Sequence, residues 1–232
     1  MDWKKELIQK PSWKEEIANR EAKEQIAKKI AEKVKNGDVI GFGSGSTSYL
    51  ASIEIANKIH NENLQITAIP TSYEIQMLCN YLNIPTASFM EKKPDWCFDG
   101  ADEVGKNNWL IKGRGAAMFN EKLNIRSAAK TYILVDNSKL VEKLGEKFPI
   151  PVEVNPKALN YVKEELYKIG ANELNLRLAM KKDGPVITEN GNFIVDTKFK
   201  EITEDLERKI KNITGVIDSG LFIGYNVEII KE

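Results

Sequence analysis

Apolar positions along the chain repeat with two alternating periods. From Ala22 onward, Ile26, Ile30 and Val34, with Ala27 and Ala31 beside them, form one stripe at helical spacing. Ser12-Trp13-Lys14-Glu15 ahead of it has the form of a capping box, so a helix is expected over 13–35, its other Lys and Glu residues forming a solvated face. Asn36-Gly37-Asp38 ends that helix in a turn, and Val39–Phe42 follows as a short buried strand. The alternation continues: a small-residue loop over 43–48, a helix from Tyr49 to His60, a strand over 64–70, a helix over 72–82, and a short strand over 84–89. Trp96-Cys97-Phe98 is an apolar strand running into an acidic segment, and Leu110-Ile111 leads through Lys112–Gly115 into a helix of about a dozen residues. Tyr132–Val135 reads as another buried strand.

Strands alternating with helices indicate βαβ units around a parallel sheet, a Rossmann-like α/β arrangement with ligand sites in the loops after the strands. The pattern changes at Phe148–Val154, where Pro149 and Pro151 mark an extended connection. Beyond it come a helix over 156–169, a strand near 174–177, and two β-runs from Pro185 to Val195 around Asn190-Gly191, a hairpin signal. A helix over 202–213 and the Gly215-Val216-Ile217 run complete the pattern. The expected organisation is an α/β main domain over 1–147 plus 218–232, with a small α+β lobe over 148–217.

Composition narrows the function. With 232 residues and 42% hydrophobic content, the chain can build a real core. Lys plus Arg and Asp plus Glu are equal at 34 each, which argues against nucleic acid as the main partner. Cys79 and Cys97 form no CxxC and read as reduced, buried thiols. The N-terminal MDWKKELIQK has no apolar h-region, and no apolar stretch is long enough to span a bilayer. A cytoplasmic protein without a membrane partner is expected. His60 reads as a surface residue at a helix end, and Trp3, Trp13, Trp96 and Trp109 as packing residues.

Three segments carry candidate chemistry. Gly43-Ser44-Gly45-Ser46-Thr47, between a strand and a helix, combines close backbone approach, hydroxyl donors and a helix N-terminus. It lacks the lysine of a P-loop, and the next strand ends in Pro70-Thr71-Ser72 without the acid of a dinucleotide fold, so it suits a monophosphate. A structural Gly/Ser turn is the plain alternative. Asp99-Gly100-Ala101-Asp102-Glu103 crowds three carboxylates past a strand end, which suits acid and base roles. A divalent-metal site or a solvated acidic turn competes with that reading. Lys112-Gly113-Arg114-Gly115-Ala116-Ala117 offers a cation on a tight loop, and Glu121 follows in the second turn of the next helix. A carboxylate so placed can face inward and act as a base, although alone it reads as a surface residue.

Taken together, and with Asp136-Asn137-Ser138-Lys139, residues 147–154 and residues 184–192, these segments resemble the ribose-5-phosphate isomerase type A family over roughly residues 20–224. The resemblance implies an aldose–ketose isomerase of the non-oxidative pentose phosphate pathway that converts D-ribose 5-phosphate to D-ribulose 5-phosphate through an enediolate. It also implies no cofactor and no metal, and a homodimer or homotetramer. It assigns Glu121 as proton acceptor, with Asp99, Asp102 and Lys112 in the chemistry. Ser44, Gly45, Ser46 and Thr47 would bind substrate with Lys23 near the phosphate. Asp99, Gly100, Ala101 and Asp102, then Lys112, Gly113, Arg114 and Gly115, would line the sugar site, and Lys139 would add a contact. Ser44 stands where the family often has threonine, and Arg114 where it often has glycine. A non-enzymatic sugar-phosphate sensor is a rival by fold analogy, but it expects a DNA-binding module ahead of the fold and does not need Lys112 with Glu121. Other sugar-phosphate or acyl-transfer enzymes of similar architecture fit the Asp99–Asp102 and Lys112 segments less well.

Overall fold

The computed structural model describes Trp13 and residues 16–232, and the chain forms two compact units. The first comprises the described residues up to Gly100, together with Leu123–Ser138 and Asn226–Glu232; the second comprises Ala101–Lys122 and Lys139–Tyr225.

The first unit holds α1 (Arg20–Ala31), β1 (Val39–Phe42), α2 (Ser46–Glu62), β2 (Thr67–Pro70), α3 (Tyr73–Tyr81) and β3 (Trp96–Gly100). Between β3 and the later strands of this unit, the second unit supplies β4 (Glu103–Val104), β5 (Leu110–Ile111) and the start of α4 (Met118–Ser127). The chain then returns to the first unit for β6 (Lys130–Leu134). Its last strand, β12 (Val227–Ile230), completes a five-stranded, wholly parallel sheet in the order β12-β6-β3-β1-β2. Continuous apolar runs make these strands, as expected where helices cover both faces. Ile26, Ile30, Ile40, Phe42, Ile55, Ile75, Leu78 and Phe98 form one buried cluster. The strand order reverses between β1 and β3. Such a switch point leaves a crevice beyond the carboxyl ends of the two strands.

The second unit adds β7 (Ile150–Val154), α5 (Leu159–Lys168), β8 (Ala171–Leu176), β9 (Phe193–Phe199), α6 (Leu206–Lys211), β10 (Val216–Ser219) and β11 (Leu221–Phe222). Its antiparallel sheets run β10-β7-β9-β8 and β11-β5-β4. Ile150, Val152, Val154, Val162, Leu166, Val195, Ile210 and Leu221 form its core.

Several elements differ from the expectation. Ser12, Lys14 and Glu15 of the capping box lie outside the described residues; α1 begins at Arg20 after Asn19, which takes φ 53. Lys23 is buried on α1 instead of joining its solvated face. Helix α2 starts at Ser46, three positions earlier than the apolar pattern indicates, because Gly45 alone completes the turn at φ 91 and Tyr49 N–H already bonds to Gly45 O. Over 84–89 only Thr86 bridges to Ala68, since Pro85 has no N–H to extend the ladder. The proline-marked stretch is β7, an internal strand flanked by β10 and β9. The Asn190-Gly191 turn lies inside the connection from β8 to β9 and does not join two strands of its own. Glu153 draws that turn inward, accepting from Thr188 Oγ1 at 2.8 Å and Asn192 Nδ2 at 2.9 Å. Segments 101–122, 139–147 and 218–225, grouped by sequence with the main domain, fall in the second unit. There β11 pairs antiparallel with β5, and an apolar run carries no label for the sheet it joins.

Candidate active site

In the first unit, candidate residues gather at the switch point. Gly43 N–H donates to Phe98 O at 2.9 Å, bringing the β1 loop against the tip of β3. A Cβ at Gly43 would collide with the Asp99 carboxyl, so only glycine permits this approach. Asp99 is buried, and its Oδ1 accepts from Ser44 N at 3.1 Å and Gly100 N at 2.7 Å. Asp99 thus fixes the shape of the loop.

Ser46 and Thr47 occupy the first turn of α2, which carries no acidic residue. The first amides of a helix have no intrahelical partners, and the dipole there favours an anion. Lys23, 7% exposed, reaches in from α1 and donates to Ser46 Oγ at 3.2 Å. Its ammonium lies 3.8 Å from Asp136 Oδ2. Asp136 also accepts from Asn19 Nδ2 at 3.1 Å and from Ser138 N at 2.9 Å. Burial pushes the Asp136 carboxyl upward, but Ser138, Asn19 and Lys23 outweigh it and hold its pKa below the usual aspartate value. Sequence reasoning missed two members of this cluster: Ser44 Oγ lies 2.7 Å from Thr71 Oγ1 and 2.9 Å from Ser72 Oγ. Their signal was available, since Thr71-Ser72 follows a parallel strand and Ser72 caps α3.

In the second unit, Lys112 at the end of β5 and Glu121 in the first turn of α4 form a buried ion pair, Nζ to Oε2 3.2 Å. Glu121 is therefore one turn nearer the helix start than its expected position. Lys112 N–H donates to Gly220 O at 2.8 Å, and its ammonium lies 5.8 Å from the Phe222 ring centre. Neighbouring Lys122 is also buried. It donates to Asp218 Oδ1 at 2.7 Å, Glu207 Oε1 at 2.8 Å and Leu221 O at 3.0 Å, so this cation is fully engaged in anchoring α4.

The acidic segment divides its labour. Asp102 Oδ2 accepts from Arg114 N at 3.1 Å. Glu103 is buried and accepts from Gly145 N at 2.6 Å, Lys147 N at 2.5 Å and Phe148 N at 2.7 Å. That nest of amides makes Glu103 a structural lock on the 145–148 loop. Among the described residues, no group of three His, Cys, Asp or Glu is placed to hold a metal ion. Arg114 and Gly115 are exposed. The Lys139 ammonium sits 5.1 Å from the centre of the Phe148 ring. His60 is exposed in the last turn of α2, and Cys79 and Cys97 are free and buried, with burial pushing the Cys79 thiol up to about 12. Among the described residues, no helix is long and apolar enough to cross a membrane.

A five-stranded parallel sheet whose switch-point loop joins glycines, hydroxyls and a helix N-terminus to a buried lysine, in a chain that also buries a lysine–carboxylate pair, defines an α/β protein with candidate groups for binding an anion and moving a proton. Comparison with known proteins supplies the particular group: the chain belongs to the ribose 5-phosphate isomerase A (phosphoriboisomerase A) family, whose model matches residues 67–231. It is 46% identical over 209 residues to ribose-5-phosphate isomerase A of Methanocaldococcus jannaschii, covering 89% of this chain and 92% of that protein. The solved structure of the ribose 5-phosphate isomerase A from that organism superimposes with a TM-score of 0.88 at 42% identity, covering 93% of this chain and all of that one (100%). A solved D-ribose-5-phosphate isomerase in complex with phospho-erythronic acid gives a TM-score of 0.87 at 40% identity, covering 91% of this chain and 93% of that one.

Proposed function

We propose that this protein is an aldose–ketose isomerase that interconverts D-ribose 5-phosphate and D-ribulose 5-phosphate through an enediolate. The observation that carries the proposal is the buried Lys112–Glu121 pair, 3.2 Å apart. Isomerisation requires a base that removes the proton from C2 of the open-chain aldose and returns it to C1. A carboxylate can serve both carbons, and Glu121 takes that role. As the C–H bond breaks, charge develops on the carbonyl oxygen, and the fixed ammonium of Lys112 stabilises it. Asp99 and Asp102 assist opening of the furanose ring and transfer of the hydroxyl proton.

The phosphate is assigned to Ser44, Gly45, Ser46 and Thr47 with Lys23, where helix amides and a buried cation favour an anion. Gly100, Ala101, Gly113, Arg114, Gly115 and Lys139 complete the proposed substrate contacts. A solved relative that binds phospho-erythronic acid, itself a phosphorylated sugar acid, supports this choice of ligand class. The protein works without a metal or cofactor, as a cytoplasmic homodimer or homotetramer in the non-oxidative pentose phosphate pathway.

The test is conversion of ribose 5-phosphate by purified protein in EDTA, alongside Glu121→Gln. Turnover in the wild type that collapses in the variant is expected. Turnover that survives the substitution would move the base elsewhere, and no turnover by folded wild-type protein would overturn the isomerase reading.

A further inference from the structure

Arg177 follows β8 and reaches a loop 64 positions earlier in the chain, within the second unit. Its guanidinium forms a two-pronged pair with Asp196 on β9, Nε to Oδ2 2.8 Å and Nη2 to Oδ1. A forked arginine–carboxylate pair fixes the plane of the guanidinium as well as its position. The remaining nitrogen, Nη1, donates to Gly113 O at 3.0 Å and to Arg114 O at 2.9 Å.

Those two carbonyls settle the orientation of the loop. No cis peptide bond occurs among the described residues, so carbonyl and N–H of each peptide point to opposite sides of the chain. The Gly113–Arg114 peptide is therefore gripped at both ends, with its carbonyl on Arg177 and its N–H on Asp102 Oδ2 at 3.1 Å. In the next peptide the Arg114 carbonyl is also on Arg177, so the Gly115 N–H is aimed away from the guanidinium. A Cβ built at Gly115 meets nothing within 4 Å, so the space beside this residue is open. Ala116 is held at φ 64 just beyond, a left-handed position that strains a residue with a Cβ. Strain of this kind persists only where surrounding contacts over-determine the backbone.

We infer that Arg177, oriented by Asp196, is a positioning residue that turns the Gly115 N–H outward to receive an oxygen of the sugar. The inference rests on the isomerase reading and deepens it. It also accounts for arginine at position 114, because the main chain there is fixed from both sides while the side chain stays in solvent.

The experiment is steady-state isomerisation of ribose 5-phosphate by wild type, Arg177→Met, Arg177→Lys and Asp196→Asn, each with a thermal melt. Loss of one well-aimed hydrogen bond corresponds to a rise in KM of about threefold to tenfold for Arg177→Met, with kcat within about threefold of wild type. Arg177→Lys should recover part of the loss, since an ammonium reaches a carbonyl but cannot fork onto Asp196, and Asp196→Asn should give a smaller rise. Unchanged KM in folded Arg177→Met overturns the inference, as does a parallel fall in kcat and melting temperature without a change in KM. If Arg177→Met does not fold, unchanged KM in Asp196→Asn overturns it equally. Inactive wild type would sink the isomerase reading itself, whereas active wild type with unchanged KM in the variants removes only the role of Arg177.

Discussion

Lys112 Nζ lies 3.2 Å from Glu121 Oε2, with both side chains almost wholly removed from solvent. Two charges buried together are costly unless each serves the other, and a lysine so confined cannot be replaced by a mobile surface cation. Lys112→Met should lower kcat by about 10²–10³, the typical loss when one oxyanion-stabilising donor is removed. Rates at saturating ribose 5-phosphate check this, and a circular-dichroism spectrum like that of the wild type excludes unfolding as the cause.

Lys23 is buried on a helix otherwise faced with exposed charge and donates to Ser46 Oγ at 3.2 Å. Charge-assisted hydrogen bonds contribute about 1.5–3 kcal/mol, which corresponds to roughly 10- to 100-fold in binding. Lys23→Met should therefore raise KM for ribose 5-phosphate by at least about tenfold, with a smaller effect on kcat. Competitive inhibition by inorganic phosphate should weaken in parallel.

Gly45 sits at φ 91 immediately before α2, and a Cβ there meets nothing within 4 Å. Backbone strain is then the only penalty, so Gly45→Ala should cost about 1 kcal/mol or more of stability. Gly43→Ala should cost more, because its Cβ meets the Asp99 carboxyl. Urea unfolding of both variants tests the order.

Asp218 pairs with buried Lys122 at 2.7 Å. Burial pushes the Asp218 carboxyl upward, but Lys122, Ser219 N–H and Lys211 outweigh it, and its pKa lies below the ordinary 3.8. A carboxyl lowered on folding contributes stability that is fully present above its unfolded value and lost as pH falls through the folded one. Wild-type melting temperature should therefore fall in acid below about pH 4 with a contribution from this group, and Asp218→Asn should flatten that part of the profile. At neutral pH the variant should be destabilised on the order of 3 kcal/mol, as when one partner of a buried pair is removed. Thermal melts between pH 2 and 7 measure both effects.

Local chemistry was legible in the sequence. The alternation of apolar runs gave the βαβ order because buried parallel strands and amphipathic helices leave different periods. The strand-to-helix turn at Gly43–Thr47 was legible because close approach and a helix start depend on glycine and hydroxyl residues within one short segment. Lys112 and Glu121 could be named together because a tight loop and the next helix turn lie only a few residues apart. The resemblance to a known family placed Lys23, which composition alone assigns to a solvated face.

Tertiary structure decided what depends on partners far along the chain. Of the carboxylates at 99, 102 and 103, the sequence shows only their crowding. The fold ties Asp99 to the β1 loop and commits Glu103 to the amides of 145, 147 and 148. It commits Lys122 to Asp218 and Glu207, and it draws Arg177 onto the carbonyls of Gly113 and Arg114. Local composition sets which conformations and charges a segment can offer. Which partner each charge meets depends on how strands distant in sequence are brought together, because burial makes an unmatched charge too costly to leave alone.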